Sequence, residues 1–173
     1  MAFWNRDRLP AGRRPDLDRD ERVARWALVG DVAVVATNRG LWLPGRPRLG
    51  WHEINKATWS GRELTVVAAE AIQERDGYQV VVDLPAISLL IDSPGDLPDE
   101  VRARVTGSVG PTQHYAGPDN GPGLRVAARR VAGRDGLTWT VRYDEGVDPD
   151  GPGVRVATDD LVAAARAGVL DKP

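Results

Sequence analysis

Imidazole chemistry in this sequence rests on two side chains, His52 and His114, and the lack of any cysteine excludes thiolate catalysis, disulfides and cysteine-ligated metal centres. A histidine base needs a carboxylate to orient it, and Glu53 and Asp119 are candidates for that role if the fold gathers them. His52 alternates with Trp51 on an expected strand, and His114 falls in a Gly/Pro-rich stretch, so both read first as surface residues. The nearest approach to a serine nucleophile elbow, Thr106-Gly107-Ser108-Val109-Gly110, lacks the glycine two places before the serine and sits at a helix end. Lys56 follows Asn55 and Lys172 follows Asp171, so no phosphate-cradling loop with its glycine-lysine step exists. Neither Gly-Pro-Gly copy supplies the third glycine of a dinucleotide fingerprint. Asp148-Pro149-Asp150-Gly151 begins like a calcium loop but lacks the third acid and the closing glutamate, and reads as a turn. Asp159 and Asp160 complement the positive end of a helix. No catalytic residue, metal site or cofactor is expected.

The positive signal is arginine. On a strand, Arg125 and Arg129 share a face, and Arg142 joins them across a hairpin, while Trp139, Val141 and Tyr143 line the opposite face toward a core. Such a stripe fits an acidic peptide, a phosphate or a nucleic-acid backbone. The alternative is a solvated face balanced by Asp135, Asp144 and Glu145 that protects an edge. With 23 basic against 25 acidic residues and a net charge of -2, bulk attraction to nucleic acid is not expected. The expected partner is another protein or an acidic peptide. All but two of the basic residues, Lys56 and Lys172, are arginine, which a GC-rich genome explains.

The elements that must position these side chains are short. Runs rich in valine, tryptophan and threonine predict strands over 23–29, 32–37, 41–43, 49–54, 57–59, 63–72 and 78–84, with 86–91 continuing the last one past Pro85. Gly30-Asp31, Asn38-Arg39-Gly40, Ser60-Gly61-Arg62 and Arg75-Asp76-Gly77 supply tight antiparallel turns. Leu97, Val101, Val105 and Val109 recur every four residues and predict an amphipathic helix over 96–109, opened by acids. A loop is expected over 110–123, then strands over 124–131 and 137–143. A last helix starts at Thr158 as N-cap, ends near Gly168, and buries Leu161, Val162, Ala165 and Val169. Trp26, Trp42, Trp51, Trp59 and Trp139 fall in strands and are expected mostly in cores. Gly121-Pro122-Gly123-Leu124-Arg125-Val126-Ala127 returns as Gly151-Pro152-Gly153-Val154-Arg155-Val156-Ala157, a pair of matches too few for stacked repeats.

Seven short strands followed by one helix is the order of a pleckstrin-homology-like (PH-like) domain. The segment Val34-Val35-Ala36-Thr37-Asn38-Arg39-Gly40-Leu41-Trp42-Leu43 resembles the hairpin of bacterial PH-like domains, followed, as there, by a strand carrying Trp51 and Ile54. The resemblance covers about residues 23–109, and the whole chain is similar to an actinobacterial family carrying such a domain. It implies an antiparallel barrel closed by a helix and a role in binding lipids, peptides or protein surfaces, with no activity to carry over. Phosphoinositide-binding domains of this fold present basic residues on the first hairpin loop, which here is the short and acidic Gly30-Asp31, so that ligand is not expected.

The sequence therefore predicts an α+β protein with a mobile arm over 1–22, a PH-like domain over 23–111, and a β-hairpin with a C-terminal helix over 112–173. No apolar stretch approaches the roughly 18 residues needed to span a bilayer, and Pro15-Asp16-Leu17-Asp18 follows Arg13-Arg14 where a twin-arginine signal needs an apolar core. A cytoplasmic interaction or scaffolding protein without catalytic activity is the expectation. Two others stay open: a hydrolase using carboxylates around His114, and peripheral membrane attachment through Phe3 and Trp4.

Overall fold

Glycines at the first central position of two-residue turns set the hairpins that begin the fold: Gly30 (φ 58°) joins Val29 to its partner Val32, and Gly61 (φ 61°) joins Ser60 to Glu63. A computed structural model describes residues 8–170, with side chains to Gly168, so Phe3, Trp4 and the side chain of Val169 lie outside the described residues. The class is α+β, mostly strands with two α-helices among the described residues. No helix of the described chain is long and apolar enough to cross a membrane.

The chain divides into two compact units, and the division does not follow chain order. Of the described residues, 8–68 and 84–108 make the first; 69–83 and 109–170 make the second. The linear boundaries expected at 22 and 111 are thus replaced by an excursion.

In the first unit, β1 (Val23–Val29), β2 (Val32–Thr37), β3 (Gly40–Trp42) and β4 (Leu49–Gly50) form an antiparallel sheet in chain order. β5 (Ile54–Ser60) and β8 (Ile87–Leu90) flank the first half of β6 (Glu63–Arg75), with Glu63↔Leu90 to Val66↔Ile87 in register. Helix α1 (Leu97–Ser108) turns Leu97, Val101 and Val105 into a core shared with Val34, Leu41, Ile54, Leu64, Val66 and Ile91. Each such aliphatic side chain contributes about 1.5–3 kcal/mol on burial. The strand expected over 49–54 is cut short, because Trp51–Glu53 form a 3₁₀ turn in which the Glu53 carboxylate accepts the Gly50 N–H at 2.6 Å. That turn carries Trp51 inward, where its indole N–H donates to the Thr37 carbonyl at 3.0 Å.

In the second unit the rest of β6 pairs with β7 (Tyr78–Asp83), followed in space by β11 (Thr138–Tyr143), β10 (Leu124–Arg129) and β9 (Val109–Tyr115). The β7–β11 contact is parallel and the others are antiparallel. Helix α2 (Val154–Leu170) covers one face, and its Val162 joins Tyr78, Val80, Val126, Trp139 and Val141 in a separate core.

Two expectations fail here. The first is the loop over 110–123, whose opening residues pair with β10 as β9; Val-Gly-Pro-Thr-Gln-His-Tyr has no apolar alternation to announce a strand, because both its faces are largely exposed. The second is Thr158 as N-cap: α2 starts four residues earlier, after Gly153 (φ 78°), and the Thr158 hydroxyl donates to the Val154 carbonyl at 2.8 Å inside the helix. The repeated heptapeptide leads once into β10 and once into α2, and its second glycine has positive φ only at Gly153 (78°), so the match is of sequence and not of conformation.

Candidate functional site

Hydrogen bonding decides which side chains share the open face of the second sheet. The Asp144 N–H donates to the Gly123 carbonyl at 2.9 Å, just beyond the Leu124↔Tyr143 pair, and Arg125 stands directly opposite Arg142. On the other side of β10, Arg125 stands opposite His114 of β9. His114, Arg125 and Arg142 therefore form a row across three strands, on the face away from Val126, Trp139 and Val141, as the alternation predicted for the two hairpin arginines. Arg129 lies on the same face of β10 but is buried, and burial holds its guanidinium below its ordinary value. The predicted stripe of Arg125, Arg129 and Arg142 thus resolves into two solvent-facing arginines and one buried one.

Acids accompany the row. Asp83 takes a 2.7 Å ion pair from Arg142. Asp144 accepts the Gly123 N–H and a contact from His114 Nε2, each at 2.8 Å, and these hydrogen bonds hold its carboxyl below the usual carboxylate range. Arg125 is exposed and makes no hydrogen bond or ion pair among the described residues, although its charge also favours ionised Asp144. The histidine's carboxylate partner is thus Asp144 and not Asp119, which occupies a turn at φ 55°. His52 and Glu53 belong to the other unit. Asp148 accepts the Asp150 N–H at 3.0 Å, the local turn expected of that tetrapeptide.

The sequence reading missed Arg75. This guanidinium, 3% exposed, ends β6 and is surrounded by acceptors: Gln73 Oε1 (2.7 Å), Tyr143 Oη (3.0 Å), the Pro149 carbonyl (3.1 Å), Tyr78 Oη and Asp150 Oδ1 (both 3.2 Å). The Tyr78 hydroxyl donates a hydrogen bond to Asp159 at 2.6 Å, and Tyr143 Oη lies 2.8 Å from the Thr158 hydroxyl. Burial pushes the Tyr78 phenol up, with Asp159 adding to the rise and Arg75 opposing it. Burial works against the Arg75 charge, and the two phenols outweigh it. Asp159 and Thr158, read as helix-start residues, serve this cluster from the first turns of α2.

The first unit has the opposite arrangement around Glu21. Its side chain is fully buried and receives the Thr37 hydroxyl (2.6 Å), the Trp42 indole N–H (2.9 Å), the Asp18 N–H (3.2 Å) and Arg48 (2.5 Å). The Thr37 hydroxyl accepts the Arg39 and Gly40 N–H groups, both at 3.1 Å, and Asn38 ties the Arg22 N–H and the Asp20 carbonyl. The Thr-Asn-Arg turn singled out in the sequence is thus the clasp that holds residues 18–22, and Leu9 further along the expected arm is buried too.

Two concavities accompany these features. A cleft of about 350 Å³ in the second unit lies between α2 (Ala164, Ala165, Gly168) and the sheet residues Gln113, Tyr115 and Trp139. In the first unit a hollow of about 500 Å³ is bordered by Arg13, Arg14 and Arg46 but also by Asp16 and Asp31. Arg13 lies 3.7 Å from Asp31 in the β1–β2 turn, whose acidity matches the absence of a basic first loop. Trp51 and Trp139 are buried, and Trp26, Trp42 and Trp59 are half-buried. Among the described residues no group of three or more acids and histidines is placed to hold a metal ion.

Compared with protein-family models, curated proteins and solved structures, the chain matches none of them.

Proposed function

We propose that this protein is a non-enzymatic interaction module whose second unit recognises acidic segments of a partner protein through the His114–Arg125–Arg142 row. The observation that carries the reading is the direct opposition of Arg125 and Arg142 in the β10–β11 ladder. Like charges facing each other across strands cost stability, and an unpaired Arg125 fork on an open face presents donors in the geometry that carboxylates fill. The first unit is read as a PH-like domain: a sheet of four strands, a further set of three, and a helix in the shared core follow the order that the resemblance implies. A scaffolding role in the cytoplasm follows from this reading.

Hydrolysis is the second reading, and the His114–Asp144 pair at 2.8 Å favours it as a base with its orienting acid. Against it, no nucleophilic side chain stands within hydrogen-bond reach of His114 in the described structure.

The test is fluorescence anisotropy of a labelled glutamate-rich peptide titrated with the full chain at low and near-physiological salt. Saturable, salt-weakened binding that falls about tenfold in the Arg125→Ala/Arg142→Ala double variant supports the reading. Binding indifferent to both substitutions overturns it.

A further inference from the structure

The row sits beside an open sheet edge. Among the described residues, strand β9 pairs only with β10, so it ends the strand order of the second unit. The Asp144 N–H donates to the Gly123 carbonyl, and hydrogen-bonded pairs alternate along an antiparallel ladder, so Arg125 and Ala127 direct their backbone groups to β11. Leu124 and Val126 then direct theirs to β9, meeting Tyr115 and Gln113. On β9 this leaves Thr112 and His114 with N–H and C=O pointing away from the sheet. Both residues are exposed, and neither backbone has a partner among the described residues. The Thr112 hydroxyl donates to the Gly110 carbonyl at 3.3 Å.

We infer that β9 is a docking edge: an extended segment of a partner protein, with acidic and apolar residues in alternation, adds to it as a further strand. The proposal rests on the acidic-segment reading above and specifies how the segment is held. Successive side chains of an added strand point to opposite faces. On one face they meet His114 and the unpaired Arg125 fork, which calls for carboxylates. On the other they meet the cleft of about 350 Å³ beside Tyr115 and Trp139, whose α2 wall is built of the small residues Ala164, Ala165 and Gly168. Main-chain bonds from Thr112 and His114 would fix the register. Exposed edges are ordinarily blunted by a proline or a bulge, and β9 carries both at its start, Pro111 and the extra residue between Val109 and Thr112, so the open run is Thr112 to Tyr115.

The decisive experiment titrates the ¹⁵N-labelled full chain with a short end-blocked peptide of alternating glutamate and leucine, reading amide exchange and affinity together. The expected result is slowed exchange at the Thr112 and His114 amides. Affinity should fall about tenfold in Thr112→Pro, which removes an outward N–H and no β9–β10 bond, and stay unchanged in Thr112→Ala. Ala164→Trp, which fills the cleft from α2, should weaken binding as well. If Thr112→Pro does not fold, amide protection in the unaltered chain decides. Binding lost with Arg125→Ala/Arg142→Ala but kept in Thr112→Pro, without amide protection, overturns strand addition and leaves the acidic face standing. The converse pattern keeps the edge and removes the role of the arginines. No peptide binding, with or without a dimer that Thr112→Pro dissociates, overturns the partner segment; the dimer would assign the edge to a second copy of this chain.

Discussion

The two units bury charges of opposite sign. In the first, Glu21 is an acceptor and is filled from short range by a hairpin whose hydroxyl, indole and guanidinium converge on one carboxylate. In the second, Arg75 is a donor and draws acceptors from two strands, a turn and, through Tyr78 and Tyr143, the start of α2. A carboxylate has two oxygens that a compact turn can saturate, whereas a guanidinium has five donors spread over a plane and needs a wider neighbourhood. The anion therefore fastens one strip of chain, and the cation ties together a whole layer.

The largest effect is expected at Arg75. Arg75→Ala strands the acceptors around it and should cost about 3–5 kcal/mol, by analogy with removing one member of a buried ion pair, read as a drop in the urea midpoint. Tyr78→Phe removes the link from Arg75 to Asp159 and should cost about 1–2 kcal/mol in the same assay.

Glu21 supplies the pH axis that separates the two hubs. Burial raises its pKa, but the bonds from Thr37, Trp42 and Asp18 and the charge of Arg48 outweigh that and hold it below its ordinary value. With the folded value depressed, this group's stabilisation is present above the unfolded value and is lost as pH falls through the folded one. Unfolding measured from neutral to acid pH should show a shallower acid decline in Glu21→Gln than in the unaltered chain. A slope unchanged in Glu21→Gln would break the contrast. The smallest effect is expected at the exposed Arg62–Asp92 pair, where Arg62→Ala should stay within about 0.5 kcal/mol.

The Arg75 hub was not legible in the sequence, and the reason is range. Tyr78 and Asp159 are separated by 81 positions and Arg75 and Tyr143 by 68, and no local periodicity reports such a meeting. What was legible was local. The strands from Val23 to Trp42 announce themselves by β-branched runs between glycine turns, and α1 by its four-residue spacing. The Arg125–Arg142 pairing followed from hairpin alternation, but the burial of Arg129 at the far end of the strand did not, because alternation gives a face and not what covers it. β9 escaped notice because an edge strand exposed on both faces carries no apolar signature, and α2 because Thr-Asp-Asp imitates a helix start one turn inside the real one.

Strand β6 carries a consequence for synthesis. The chain leaves the first unit at Ala68, spends residues 69–83 on the second, and returns at Leu84 for β8 and α1. On a ribosome, the hairpin of β6 and β7 emerges before its parallel neighbour β11, while the opening sheets must wait for α1 to close their core. Neither unit can be cut out as an uninterrupted fragment. Dissection would require joining Ala68 to Leu84 by a designed turn, and a gene truncated after Ser108 would expose a hairpin whose remaining partners had not been made.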